Sequence, residues 1–282
     1  MPGFPGRWLS LMAKRKSRIQ LRSGAELDAL REAGATAAEI LARTCELVRP
    51  GATTGEIDRS AADLIAERSC TSAFLGYRGF PGNICISVNE EVVHGIGGPR
   101  EILEGDIVKI DVGILTKAGW VGDNAKSVAA GNMPESAIPL LSATEASLYA
   151  AIDHAREGEL LSRVCSAVEE HVAAFGFTVV KQFVGHGVGR KLHEEPQVPN
   201  YWDPAEMTRR RFKNPRLQAG MVLAIEPMVN GGVEDVRILG DKWTVVTDDG
   251  ALSSHFEHMV LVTDGDPEIL TPRPRSFPET VA

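Results

Sequence analysis

Apolar residues recur along this chain with two different spacings. Leu27, Leu30, Ile40, Leu41 and Leu47 fall near one face of a helix, and Pro50-Gly51 ends that pattern. Three Ser/Thr-x-x-Glu pairs predict helix starts: Ser23 with Glu26, Thr53 with Glu56, and Ser142 with Glu145. In each, the hydroxyl can accept from a first-turn N–H while the carboxylate reaches back to the cap. Shorter apolar runs at 106–115, 221–229 and 256–263 predict strands. Thr116-Lys117-Ala118-Gly119 predicts a turn that folds the first of these back on its successor, with Asp111 and Asp123 roughly opposite each other. No Gly/Ser/Pro-rich linker divides the middle, so residues 21–271 read as one compact domain. A basic tail, 1–20, and a frayed Pro-rich tail, 272–282, flank it.

Composition narrows the classes of function. With 282 residues, 43% hydrophobic and 24% charged, the chain is neither disordered nor membrane-spanning, since no apolar run is long enough for a bilayer. Lys plus Arg is 30 against 38 Asp plus Glu, a net charge of −8. An acidic body argues against nucleic-acid binding and leaves room for cations. The basic run Arg209-Arg210-Arg211-Phe212-Lys213 therefore reads as a solvated loop. Cys45, Cys70, Cys85 and Cys165 form no CxxC pair, which fits a reducing cytoplasm. The basic residues Arg7, Lys14, Arg15, Lys16 and Arg18 precede no apolar segment, so the tail is expected to be solvated rather than a signal peptide. A contact with ribosomal RNA is the functional alternative for it, and Met12 is an alternative start.

Self-similarity says more. Arg49-Pro-Gly51 resembles Arg156-Glu-Gly158, His94-Gly-Ile-Gly97 resembles His186-Gly-Val-Gly189, and the run from Gly105 to Asp111 resembles that from Gly220 to Glu226. The three matches keep the same order, which predicts a duplicated half-domain. An approximate two-fold would then bring Asp111 and Glu226 towards a shared axis, where a two-cation site belongs.

Asp111, Asp123, Glu226 and Glu257 each stand in apolar strand context. Two like charges at 4 Å repel by about 4 kcal/mol at an effective dielectric of 20, so four converged carboxylates need protons or cations. Oxygen-rich ligation suits Mn or Fe(II), with Co and Zn as further candidates. His186 and His193 lie in a Gly-rich frame that is not helical, and Gln197 breaks the HExxH pattern. His255 and His258 are expected to be structural, and His154 and His171 to be solvated. No Gly-x-Ser-x-Gly elbow and no P-loop is present.

As a set, Asp111, Asp123, His186, Glu226 and Glu257 resemble the metal ligands of the methionine aminopeptidases of bacterial type I. The segments around them match that family through most of 24–271: Gly76-Tyr-Arg-Gly-Phe-Pro81, Cys85-Ile-Ser-Val-Asn-Glu90, Gly185-His-Gly-Val-Gly-Arg190, Ala224-Ile-Glu-Pro-Met228 and Phe256-Glu-His258 among them. The resemblance implies an α+β "pita-bread" fold: two pseudo-symmetric halves with a curved antiparallel sheet covered by helices. It implies two divalent ions, Asp111 on one, Asp123 and Glu257 bridging, His186 and Glu226 on the other. It further implies a bridging water as nucleophile, Glu226 as proton acceptor, His193 at the scissile carbonyl and His94 at the leaving amide. Tyr77, Phe80, Cys85 and Trp243 would line the methionine pocket.

The substrate implied is an N-terminal methionine peptide or nascent chain with a small second residue, and a monomer is expected. Departures from the family pattern are Phe74 and Leu192 at the pocket, Gly113 in place of a hydroxyl residue, Val121 in place of a His, and a long 199–216 stretch. The alternatives are an Xaa-Pro peptidase or a non-catalytic binding protein of the same fold.

Overall fold

The computed structural model describes residues 19–277, and the basic tail therefore lies almost wholly outside the described residues. Helices α1 (Ala25–Cys45) and α2 (Thr54–Glu67) precede strands β1 (Thr71–Ser72), β2 (Cys85–Val88), β3 (Ile107–Leu115) and β4 (Val121–Ala129). A second pair of helices follows, α3 (Ile138–Ile152) and α4 (Leu161–Ala174), and then β5 (Thr178–Val179), β6 (Gly185–Gly187) and β7 (Glu194–Val198). The short α5 (Pro204–Arg210) leads to β8 (Val222–Ile225), β9 (Met228–Asn230), β10 (Val236–Ile238) and β11 (Val245–Thr247). The chain closes with β12 (Ser253–His255), β13 (His258–Leu261) and β14 (Glu268–Ile269).

Every strand pair is antiparallel, in sheets ordered β1-β3-β2 with β4 on β3, β14-β13-β8-β6-β7, β12-β9-β5 and β10-β11. Each half buries its own helix pair. Ile40, Leu41, Ile57 and Leu64 pack on Ile86, Val108, Ile110 and Val112 in the first half. Leu140, Leu148, Val164 and Val168 pack on Leu223, Ile225 and Val260 in the second. A third apolar cluster, with Leu30, Phe74, Phe80, Trp120, Val222 and Met259, joins the halves beside the site. Alternation in β3 explains this placement, since Val108, Ile110 and Val112 face the helices and leave Lys109, Asp111 and Gly113 on the opposite face.

The internal repeat has a backbone basis. Gly51 and Gly158 both take positive φ, 83° and 86°, and in each half a helix begins shortly after, at Thr54 and Leu161. Gly105 and Gly220 take φ of 82° and 91° immediately ahead of β3 and β8. These conformations favour glycine in L-chains.

Of the three predicted helix starts, the one at Thr53 forms the reciprocal capping box with Glu56. Ser23 does not cap α1; Gly24 takes that place, with no side-chain cap. Glu26 turns instead to Arg22, at 3.7 Å. Ser142 and Glu145 lie inside α3, which starts earlier with a proline in its first turn. The predicted strand 221–229 is broken at Glu226-Pro227, and 256–263 begins as a strand only at His258.

The segment 272–277 is not frayed: Glu145 accepts from the Ser276 N–H (2.8 Å), the Phe277 N–H (3.0 Å) and the Ser276 hydroxyl (3.1 Å). The 199–216 stretch carries α5, capped by Asp203, with Met207 buried in the second core. The basic run is exposed as expected apart from the half-buried Phe212, and Arg210 within it also donates to the Lys181 carbonyl and the Tyr201 hydroxyl. His171, too, is half-buried, against Phe175, and His154 is half-buried.

Candidate active site

The β3–β4 hairpin turns where expected, with the Gly119 N–H on the Thr116 carbonyl and the Thr116 N–H on the Trp120 carbonyl. Its register pairs Asp111 with Ala125 and Gly113 with Asp123. The two aspartates are thus diagonal neighbours on one face, not directly opposite. Both face the cleft because their spacing in sequence is even across a tight turn.

Glu226 and Glu257 reach the same place by another device. His255 pairs with Met228 and His258 with Ile225, so Glu226-Pro227 and Phe256-Glu257 form matching interruptions in one antiparallel pair. At this corner the chain leaves one sheet for another, and side chains no longer follow simple alternation. The Glu257 N–H donates to the Ala125 carbonyl, which ties the corner to β4. Asn200 donates to the Glu226 carbonyl at 3.1 Å. His186, in the middle of β6, places Nε2 3.7 Å from Asp123 Oδ2 and 3.5 Å from Glu226 Oε1.

All eleven residues singled out from the sequence line one cleft of about 340 Å³. Asp123, His186 and Glu257 place ligand atoms within 4.8 Å of one another. The buried Asp111 Oδ1, Asp123 Oδ1 and Glu257 Oε1 have no hydrogen-bond partner among the described residues. Unpaired buried carboxylate oxygens are costly, and a divalent cation removes that cost. Desolvation pushes the Asp111 carboxyl up to about 7. Burial, and then repulsion from the neighbouring carboxylates, pushes Asp123, Glu226 and Glu257 well above the usual range. Burial drives His186 down to about 3, so its imidazole is a neutral donor of the kind metals take. The donor set fits oxygen-preferring divalent ions.

The opposite wall is apolar. Phe80 meets Trp243 edge-on at 5.2 Å, and His94 stands edge-on to Phe183 at 5.3 Å. Cys85 lies directly across from Asp111 in the β2–β3 register. His193 stacks on Tyr77 at 5.2 Å, and its Nδ1 is 2.8 Å from the Tyr77 hydroxyl. Burial lowers His94 and His193 to about 4, with Arg78 adding to the effect at His193.

The departures from the family pattern meet here. Leu192 and Val121 are buried in the joining cluster, and the Val121 N–H donates to the Gly189 carbonyl. A Cβ at Gly113 would clash with the edge of the Phe74 ring, 2.6 Å from Cζ.

Two residues at the site were not legible beforehand. His255, expected to be structural, is buried with Nε2 3.7 Å from Glu226 Oε2. The corner between β12 and β13 turns it inward, and nothing in the local pattern signals that turn. Lys109 is buried on the same face of β3 as Asp111, two residues before it, and donates to the Asn89 carbonyl at 2.6 Å. His258 is structural as expected, between Tyr149 and Thr271.

Comparison with known proteins agrees with this geometry. The model of metallopeptidase family M24 matches residues 28–264. The chain is 45% identical over 253 residues to a methionine aminopeptidase of Clostridium perfringens, covering 90% of this chain and 98% of that one. It is 42% identical to the enzyme of the same name from Escherichia coli K12, over 90% and 94% of the two chains. The crystal structure of methionine aminopeptidase from Thermotoga maritima superposes with a TM-score of 0.85 at 37% identity, covering 91% of this chain and all of that one. A prolidase from Pyrococcus furiosus, 20% identical with a TM-score of 0.73, shares the fold alone.

Proposed function

The chain belongs to the methionine aminopeptidases of metallopeptidase family M24, metal-dependent hydrolases that remove N-terminal methionine, and from that premise we propose how its cleft works. Asp111, Asp123, His186, Glu226 and Glu257 would hold two divalent ions, Mn, Fe(II), Co or Zn. The observation that carries this reading is the convergence of those five side chains, with buried carboxylate oxygens that lack a protein partner. When bound, the ions supply Lewis acidity and lower the pKa of water towards ~7.

The chain's own residues do the rest. Glu226 accepts the proton released by the attacking water, and His255 stands behind it with Nε2 3.7 Å from its second oxygen. His193, neutral and held at Nδ1 by Tyr77, directs Nε2 towards the scissile carbonyl. His94 orients the peptide at the leaving amide. Tyr77, Phe80, Cys85 and Trp243 form a wall suited to an unbranched thioether. The cleft beside these ligands takes the methionine side chain, and a small second residue is preferred in this reading. The substrates are methionyl peptides and nascent chains in the cytoplasm, and the protein acts as a monomer. Among the described residues no helix is long and apolar enough to cross a membrane. A contact of the tail, residues 1–20, with the ribosome is a further part of the reading, tested by co-sedimentation after their deletion.

The deciding experiment assays Met-Ala, Met-Gly and Xaa-Pro peptides with Mn, Fe(II) and Co in turn, alongside metal analysis. Asp123→Ala and Glu257→Ala should lose turnover and bound metal together. Full activity in either variant, or preferential cleavage of Xaa-Pro, would contradict the assignment.

A further inference from the structure

The last described residues carry a feature that the cleft itself does not explain. Arg273 turns inward from the C-terminal segment and donates from Nη2 to the Ala125 carbonyl at 2.9 Å. The same carbonyl accepts the Glu257 N–H at 2.9 Å. Ala125 lies directly across β3 from Asp111. One backbone oxygen on β4, the strand of Asp123 and the neighbour of Asp111's strand, therefore joins the corner that bears Glu257 and a guanidinium from the far end of the chain.

The rest of the network orients that guanidinium. Thr271 Oγ1 accepts from the Met259 N–H at 3.1 Å and lies 2.9 Å from His258 Nδ1, which also faces the Arg273 guanidinium, a group that can only donate. Nδ1 is then an acceptor, and Arg273 Nη1 approaches it at 3.3 Å. His258 Nε2 carries the ring proton and donates to the Tyr149 hydroxyl at 3.2 Å. The Arg275 guanidinium covers the Tyr149 ring at 3.8 Å. One turn earlier on α3, Glu145, only 2% exposed, receives Ser276 and Phe277. Helix α3 thus anchors the segment at two points and sets the depth to which Arg273 enters.

Among the described residues Arg273 makes no ion pair within 4 Å; its contacts are a carbonyl and a neutral imidazole. A buried cation so placed is costly unless a nearby negative field offsets it. Burial works against the charged guanidinium, while Tyr149, Glu145 and Cys45, and then Glu257 of the site, favour it. We propose that Arg273 is a positioning residue for the metal site: through the shared Ala125 carbonyl and its charge, it holds Glu257 in place for the ions. The proposal rests on the metal-site reading above. It makes the segment 272–277 part of the active-site architecture.

The test uses the full chain, stripped of metal and titrated with Mn(II) by calorimetry below its melting temperature. Partners that orient metal ligands typically change affinity or activity by about 10–100-fold. Arg273→Met should bind Mn(II) at least about tenfold more weakly, with kcat reduced and KM for Met-Ala near the parent value. Arg273→Lys, which keeps a charged donor for the Ala125 carbonyl, should recover most of that loss. A chain ending at Thr271 should match Arg273→Met, and it decides the matter if that variant does not fold. A parent protein that binds no Mn(II), Fe(II) or Co(II) would overturn the metal-site reading and this inference with it. A parent that binds, beside a folded Arg273→Met or shortened chain of equal affinity, would overturn the inference alone. So would an Arg273→Lys no better than Arg273→Met.

Discussion

The Phe74 ring occupies the space that a side chain at position 113 would fill. Gly113 lies directly across from Asp123, and its absent Cβ would clash with the edge of the ring. The two departures from the family pattern are therefore one: a larger residue on the cleft wall and a smaller one on the strand complement each other. A branched residue at 113 has no room while Phe74 remains.

It follows that Gly113→Thr alone should destabilise the protein by about 1–3 kcal/mol through overpacking. Combined with Phe74→Ala, the threonine should find its space, and the double variant should be more stable than the sum of the single effects predicts. Contacting residues show coupling of about 0.5–3 kcal/mol. Chemical denaturation of the three variants measures it, and strict additivity would mean that the ring and the glycine are independent.

The hydrogen bond between Tyr77 and His193 carries a second prediction. Tyr77→Phe keeps the ring stacked on His193 but removes the hydroxyl 2.8 Å from Nδ1. The imidazole then loses the contact that fixes its orientation and tautomer. We expect kcat on Met-Ala to fall about tenfold or more with KM little changed. The same change in a His193→Ala background should cost nothing further. An equal loss in both backgrounds would show that Tyr77 acts elsewhere.

The raised carboxyl of Asp111 predicts how stability changes with pH when metal is removed. Its folded value is about 7 against an ordinary 3.8. A group raised in this way contributes stability that is complete below the unfolded value and is lost as pH rises through the folded one. Asp111→Asn imitates the neutral carboxyl. In the metal-free state it should gain on the parent by about 1.4 kcal/mol per pH unit between pH 4 and 7, then level off. The histidines and Lys109 are common to both proteins and largely cancel, whereas loss of the Asp111 charge also relieves Asp123, Glu226 and Glu257 and adds to the gain. Melting curves across that range check the slope, and Mn(II) should reverse the order of the two proteins.

The helix caps give a control on local energetics. Thr53 caps α2 in a complete capping box, with its side chain accepting from the Glu56 N–H at 3.2 Å. Thr53→Ala should cost about 1 kcal/mol. Ser23→Ala should cost far less, because Gly24 occupies the cap of α1. Comparable losses in both would put the start of α1 one residue earlier.

The sequence by itself determined whatever depends on short-range pattern and on residue chemistry. The capping box at Thr53, the turn at 116–119, the strand carrying Asp111 and the glycine-led repeats were all legible, because the relevant partners lie within a few residues. The need for cations was legible too, since four carboxylates in apolar context imply charge compensation wherever they meet. Tertiary structure decided what depends on contacts between distant segments. Ser142 and Glu145 spell a helix start, yet Glu145 is buried inside α3, where Ser276 and Phe277 satisfy it. His255 comes to Glu226 only because two interrupted strands face each other. Phe74 and Gly113 are unremarkable apart and complementary together. Arg273, in a stretch that reads as a frayed tail, ends on Ala125 because α3 anchors the chain beyond it. Local propensity carries no information about which remote surface will be within reach, and that reach is set when the two half-domains pack.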